Sequence, residues 1–248
     1  TLTRQKYIAM IVAQILKWTF KMANENTNNS EIKAFFKEHG SKVAVAVAIV
    51  VAIVVGVVQY IEFRKGASAQ QAELLGPGMA YMHNLDKDTA LVEFESKMNE
   101  GKLAGLALAK AALFAGNIKY EKGEYDAAAQ LFQKSLDNAG SVALVRSAAM
   151  HGLASVKMEK EDFSAAAGLL EKYIGEFAKR TGDKEDRYQR DEPVDEVPAV
   201  ADAMWKLTLV YQQLGATDKA KKTAERLLEV YGDNQTMADN ARKFLATL

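Results

Sequence analysis

Apolar positions along the chain fall into two regimes. From Val43 to Ile61 the run VAVAVAIVVAIVVGVVQYI carries no charge and one strongly polar side chain, Gln59. A bilayer core needs about 20 mostly apolar helical residues, so the pattern predicts a transmembrane helix over 42–61, closed by Lys42 on one side and by Glu62, Arg64 and Lys65 on the other. Such a helix satisfies its own backbone groups, as lipid demands. Beyond Gly101 the apolar residues recur at helical spacing in three similar blocks, AALFAGNIKYEKGEYDAAAQLFQKSLDNAG, SAAMHGLASVKMEKEDFSAAAGLLEKYIGEF and ADAMWKLTLVYQQLGATDKAKKTAERLLEVYG. Each reads as helix, short turn, helix. A last helix, QTMADNARKFLATL, closes the open end as a stacked array requires. The predicted fold is all-α: a single transmembrane helix, then an α-solenoid of helical hairpins with a C-terminal capping helix, the hairpins and cap occupying 102–248.

The remaining segments are read around these two regimes. Residues 62–101 make a linker followed by a degenerate helical hairpin: the GPG at 76–78 is placed in the linker, and helical spacing resumes in AYMHNLDKDTALVEFESKMNEG. Residues 22–41 form a short polar head in which Ser30 caps the helix EIKAFFKEHG, ended by Gly40. Residues 1–21 differ in character from that polar head and are read as an upstream segment, with Met22 as the natural start. A signal peptide and an interfacial amphipathic helix are the alternatives for 1–21. Within the apolar run, Ala44, Ala48, Ala52 and Gly56 fall four apart, a spacing that lets two membrane helices approach closely; a chance product of a Val–Ala run is the competing explanation.

Composition narrows the function. The 32 basic and 32 acidic residues cancel, which disfavours nucleic acid as a partner. With no cysteine, disulfides and thiol nucleophiles are excluded, and the three histidines, His39, His83 and His151, stand at no metal-ligand spacing. No cofactor, metal site or small-molecule substrate is expected. No nucleophile elbow, P-loop or dinucleotide fingerprint occurs, so an enzyme is not expected either.

The hairpin blocks carry a specific residue order. In the first, Gly116, the turn residue Gly123, then Tyr125, Ala128, Phe132 and Ser135 follow small, small, aromatic, Ala, aromatic, small, with Ala128 and Phe132 forming an A-x3-F element. The second block has Leu153, Ala154, Phe163, Ala166 and Leu170 in those places and Glu161 at the turn glycine; the third has Leu207, Tyr211, Gly215 and Ala220, with Thr217 and Ala224 replacing the aromatics. This order resembles the tetratricopeptide repeat. Small residues at Gly116, Ala128, Ala154, Ala166 and Ala220 let paired helices cross closely, while Phe132, Leu170 and Tyr211 fill the space between hairpins. The long polar stretch KRTGDKEDRYQRDEPVDEVP separates the last two blocks and is read as a solvated loop, with Tyr188 as a contact point in the alternative.

In a stack of helix pairs, the first helix of each pair lines the concave face. The repeat positions there are Lys110, Leu113, Asn117 and Tyr120, then His151, Ser155 and Met158, then Trp205, Leu209 and Gln212. They describe a mixed apolar and polar groove for an extended peptide or a partner helix; ordinary packing is the alternative for Tyr120 and Trp205. A groove that grips C-terminal carboxylates needs several cations, and only Lys110 and Lys206 qualify, so that mode is rejected.

From Met22 onward, a short head, one membrane helix and Ala-rich repeats together resemble the tetratricopeptide ancillary subunit of the bacterial Sec translocon, the stretch GKLAGLALAKAALFAGNIKYEKGEYDAAAQLF carrying the likeness. The resemblance implies a protein of the bacterial inner membrane, N-terminus cytoplasmic and repeats in the periplasm, that works with translocon subunits, chaperones or unfolded clients. A structural adaptor in another cell-envelope complex is the second reading. Lys33, Lys37 and Lys42 before the run against Arg64 and Lys65 after it leave orientation nearly balanced, and Arg4, Lys6, Lys17 and Lys21 tip it toward N-terminus inside.

Overall fold

The computed structural model describes residues 53–59, 69–182 and 193–248. It divides into two units, Thr1–Ala67 and Ser68–Leu248. In the first unit only 53–59 are described, and they are helical. Gly56 has open space around it, whereas Ala44, Ala48, Ala52, the rest of the apolar run, the polar head and residues 1–21 lie outside the described residues. Among the described residues no helix is long and apolar enough to cross a membrane.

The second unit is built from helices alone among its described residues: α1 (69–83) and α2 (Lys87–Asn99), α3 (Gly105–Glu121) and α4 (Tyr125–Asn138), α5 (Ala143–Glu159) and α6 (Phe163–Phe177), α7 (Val200–Gln213) and α8 (Thr217–Tyr231), and a last helix α9 (Gln235–Leu245). Four hairpins stack in chain order, and α9 packs on the last of them. The array is a tetratricopeptide-like solenoid. The second helices α4, α6 and α8 bury one apolar face, while α3 and α5 bury small and apolar residues on more than one face. The difference follows from position, because α3 and α5 are flanked by neighbours on several sides and bury Ala109, Ala112, Ala115 and Ile118, or Ala149, Met150, Ala154 and Val156.

One register runs through the first three hairpins. The small residue of the first helix is Gly78, Gly116 or Ala154; it faces Phe94, Phe132 or Leu170 of the second helix, and the alanine beside it, Ala90, Ala128 or Ala166, is fully buried. A methyl on Gly78 would lie 2.4 Å from the Phe94 ring, and one on Gly116 would lie 2.9 Å from that of Phe132. The GPG that the sequence places in a linker therefore lies inside α1. Glycine and proline are strong local breakers, but Gly78 is the close-approach position of a complete hairpin, and Pro77 sits on an exposed part of α1.

The four turns between paired helices share one hydrogen-bond pattern. Gly123 N–H donates to Tyr120 O at 2.9 Å and Glu124 N–H to Lys119 O at 2.9 Å. The same pair of bonds recurs at Leu85 and Asp86, at Glu161 and Asp162, and at Gly215 and Ala216. This is a Schellman closure, and it needs a left-handed residue just past the helix. Gly123 and Gly215 meet that need freely, whereas Leu85 at φ 62° and Glu161 at φ 57° hold the same conformation against the clash of their Cβ.

Polar contacts at the first two junctions follow the register at a separation of 34 residues: Lys87 with Glu121, Lys122 with Asp88, Lys160 with Asp126, and Tyr125 with Glu159. At the third junction the inserted stretch displaces this register, and its ends are tied down instead. Asp195 Oδ1 accepts from the backbone N–H of Lys179 at 2.7 Å and of Arg180 at 3.0 Å, while its Oδ2 accepts from Tyr231 Oη at 2.7 Å. Arg180 pairs with both oxygens of Asp233 and lies over the Tyr231 ring. The insert ends are thus part of the packed structure rather than a solvated loop, while Tyr188 lies outside the described residues.

Candidate binding cleft

A cleft of about 400 Å³ opens between the first helices of the second, third and fourth hairpins. Its long wall is α5, which contributes Leu144, Ser147, Ala148, His151, Gly152 and Ser155. These positions follow helical spacing, so one stripe of mostly small side chains faces the opening. Asn117 and Tyr120 of α3 form one side, Lys206 of α7 with Pro198 and Ala199 of the insert the other, and Phe132 and Tyr173 the floor. Gly152 is part of the reason there is room over that floor, since a methyl there would stand 2.7 Å from Phe132.

A polar chain joins α5 to α7 along the cleft. His151 Nε2 lies 2.7 Å from Asp202 Oδ2, Lys206 Nζ donates to Ser155 Oγ at 3.0 Å, and Lys206 Nζ is 3.6 Å from Asp202. The hydrogen bond from His151 holds the Asp202 carboxyl below its ordinary value, against the opposing effect of burial, and Lys206 adds to the lowering. Burial pushes the Tyr173 hydroxyl up to about 12. Burial, then the hydrogen bond to Glu159, does the same for Tyr120, also to about 12. Both phenols therefore stay protonated at neutral pH. Tyr120 Oη donates to Glu159 Oε1 at 3.0 Å beside Tyr125, which donates to the other oxygen at 3.2 Å.

Lys206 Nζ is engaged by Ser155 and Asp202, and Asp202 in turn by His151. Among the described residues no group of three or more histidine or carboxylate side chains is placed to hold a metal ion.

Of the groove positions chosen from the repeat pattern, the fold brings Asn117, Tyr120, His151 and Ser155 together at the cleft, with Lys206 beside them. The others lie elsewhere. Lys110 is exposed on α3 away from the opening, and Leu113 is buried. Met158 packs against the hydrophobic core. Trp205 meets the ring of Phe244 edge-on at 6.3 Å and so joins α7 to α9. Leu209 is half-buried and Gln212 exposed, and neither lines the cleft. Leu113 and Met158 turn toward neighbouring helices, and Pro198 and Ala199 of the insert line the cleft beside α7. The small stripe Ser147, Ala148, Gly152 was legible from its helical spacing but has no chemical signature, and Pro198 and Ala199 had no sequence signal at all.

Comparison with known proteins gives a consistent picture. Residues 33–185 match the family model of the tetratricopeptide repeat-like domain, and residues 202–234 match that of the tetratricopeptide repeat. No curated protein matches the sequence. Among solved structures, a tetratricopeptide repeat protein from Parabacteroides merdae superposes with a TM-score of 0.53 at 16% identity, covering 71% of this chain and 59% of that one. A MamA protein gives 0.49 at 17% identity, covering 72% and 90%, and MamA from Desulfovibrio magneticus gives 0.48 at 14%, covering 72% and 96%. At these identities the first shares the fold alone, and the other two carry no argument.

Proposed function

Because the chain belongs to the tetratricopeptide repeat-like domain family, we propose that it is a protein-interaction scaffold whose cleft between α3, α5 and α7 holds a segment of another protein. The observation that carries this reading is the cleft itself, with an apolar floor, a rim of fixed donors and acceptors, and volume for a few side chains. Its charges are internally balanced, since Lys206 and Asp202 face each other. The occupant that suits it is an uncharged segment with one or two large apolar side chains, rather than an acidic tail. A carboxylate clamp is not supported, because Lys206 is engaged and Lys110 lies off the cleft.

In its finer form the proposal makes this a membrane-anchored protein of the bacterial inner membrane, held by the apolar run at 43–61, N-terminus cytoplasmic, with its repeats in the periplasm and assisting secreted chains between the Sec translocon and chaperones. The uncharged run and the repeats after it support that form. A photo-crosslinking residue placed at Asn117 and at Leu144 in intact cells, with Lys172 on α6 as an off-cleft control, tests both levels. Cleft-specific capture of translocon subunits, chaperones or nascent secreted chains is expected. Capture of one fixed envelope partner refutes the translocation role in favour of an adaptor, and equal capture from Lys172 refutes the cleft as the binding site.

A further inference from the structure

The lysines around the first three hairpin turns are each matched by an acid: Lys87 by Glu121, Lys119 by Glu124, Lys122 by Asp88, Lys157 by Asp162 and Lys160 by Asp126. Glu159, exposed at the end of α5, stands among them and pairs with no cation among the described residues. Its contacts are two phenols instead. Tyr120 Oη donates to Oε1 at 3.0 Å and Tyr125 Oη to Oε2 at 3.2 Å, and the two rings lie 5.5 Å apart, tilted by 57°. A hydroxyl donor on each oxygen fixes the carboxylate without cancelling its charge and leaves each oxygen a second lone pair. Both rings are half-buried, and Tyr120 also lines the cleft.

The same combination of phenol and carboxylate occurs twice more in the chain, and both times a cation covers the ring. Tyr211 Oη donates to Glu171, and Lys219 Nζ stands 5.2 Å from the centroid of the Tyr211 ring. Tyr231 Oη donates to Asp195 at 2.7 Å, and the Arg180 guanidinium stands 4.9 Å from the centroid of that ring. The physical reason is shared: the ring face attracts a cation through its quadrupole, and the carboxylate held at the ring edge attracts it through its charge. Over Tyr120 and Tyr125 the described residues place no lysine or arginine.

We infer that here the cation comes from the partner: Glu159, Tyr120 and Tyr125 form a subsite for a basic side chain, arginine by preference, on the segment that the cleft holds. This rests on the reading of the cleft as a protein-binding site. The body of the cleft, where Lys206 and Asp202 face each other, takes the uncharged part of that segment, and the basic residue lies at the end marked by Tyr120. Arginine suits the subsite better than lysine because its planar fork reaches both oxygens of a carboxylate and its flat face stacks on a ring.

The chain has nine tyrosines, so full-length protein carrying ring-labelled tyrosine reports on several sites in one NMR titration. Tyr120 and Tyr125 read the subsite, Tyr173 reads the cleft floor, and Tyr211 is a ring already covered by Lys219. The probes are N-acetyl-arginine amide, its uncharged citrulline analogue and N-acetyl-phenylalanine amide. With the arginine probe, Tyr120 and Tyr125 should shift saturably while Tyr211 stays unmoved, and binding should be about tenfold tighter than with the citrulline probe. Glu159→Gln, which keeps an acceptor for the phenols and loses the charge, should weaken the arginine probe by a similar factor. The phenylalanine probe should shift Tyr173. Equal binding of the arginine and citrulline probes, equal shifts at Tyr211, or arginine binding unchanged in Glu159→Gln overturns the subsite, and the cleft then stands if Tyr173 still responds to phenylalanine. No response to any probe overturns the subsite and the cleft together.

Discussion

Replacing Glu161 with glycine should stabilise the protein although it removes a side chain and adds no contact. The turn after α5 closes through Glu161 N–H to Met158 O at 3.0 Å and Asp162 N–H to Lys157 O at 2.9 Å, and both bonds survive the change. At φ 57° the Glu161 Cβ crowds the backbone, at a cost of about 1–2 kcal/mol for an L residue in the left-handed region. Glycine removes that cost but loses about 0.5–1 kcal/mol more conformational entropy on folding, which leaves a net gain of about 0.5–1 kcal/mol. For a domain of this size such a gain raises the melting temperature by about 1–4 °C. Leu85→Gly, at φ 62° and two hairpins away, should give a similar increment, and the two should add because the sites share no partner. Differential scanning calorimetry and urea unfolding of Glu161→Gly, Leu85→Gly, the double variant and Glu161→Ala make the measurement. Alanine keeps the Cβ and should gain nothing. If Glu161→Gly is no more stable than Glu161→Ala, left-handed strain is not what this turn stores, and the reasoning fails.

The same geometry sets two further outcomes. Gly78→Ala and Gly152→Ala each push a methyl into a buried ring, at 2.4 Å from Phe94 and 2.7 Å from Phe132, and overpacking of this kind costs about 1–3 kcal/mol; Gly168→Ala on α6, with open space around it, should instead stabilise by about 0.5–1 kcal/mol in urea titrations. Asp202 has its folded value held below 3.8, so the stability its pairing contributes is complete above its unfolded value and is lost as pH falls through the lower folded one. The stability difference between wild type and Asp202→Asn should therefore shrink as pH falls below about 4, and an unchanged difference there would show that the pairing of Asp202 adds nothing to folding.

Much of the repeat unit was legible because its rules are local. Helical spacing of apolar residues, the Ala128 and Phe132 element, and the turn residues Gly123 and Gly215 each act within a few turns of chain, so the order of residues alone marks the hairpins and even flags Glu161 as a non-glycine at a glycine's place. The first hairpin was legible only in degenerate form, with the GPG left in a linker, because local and tertiary preferences conflict there: Gly76, Pro77 and Gly78 break a helix considered alone, and only the ring of Phe94 against Gly78 gives that glycine its purpose.

The cleft divides in the same way. Asn117, Tyr120 and His151 could be placed on one face from repeat position, since that face is set by helix periodicity. The partners that give His151 and Ser155 their setting, Asp202 and Lys206, stand 51 residues away along the chain, and the insert that closes the cleft with Pro198 and Ala199 is anchored through Asp195 to Tyr231, 36 residues further on. The sequence by itself determined which segments are helical and which faces are apolar, because both follow from backbone sterics and burial within one or two turns. Only the tertiary structure decided which polar groups meet, since a hydrogen bond between distant residues depends on the whole path of the chain between them.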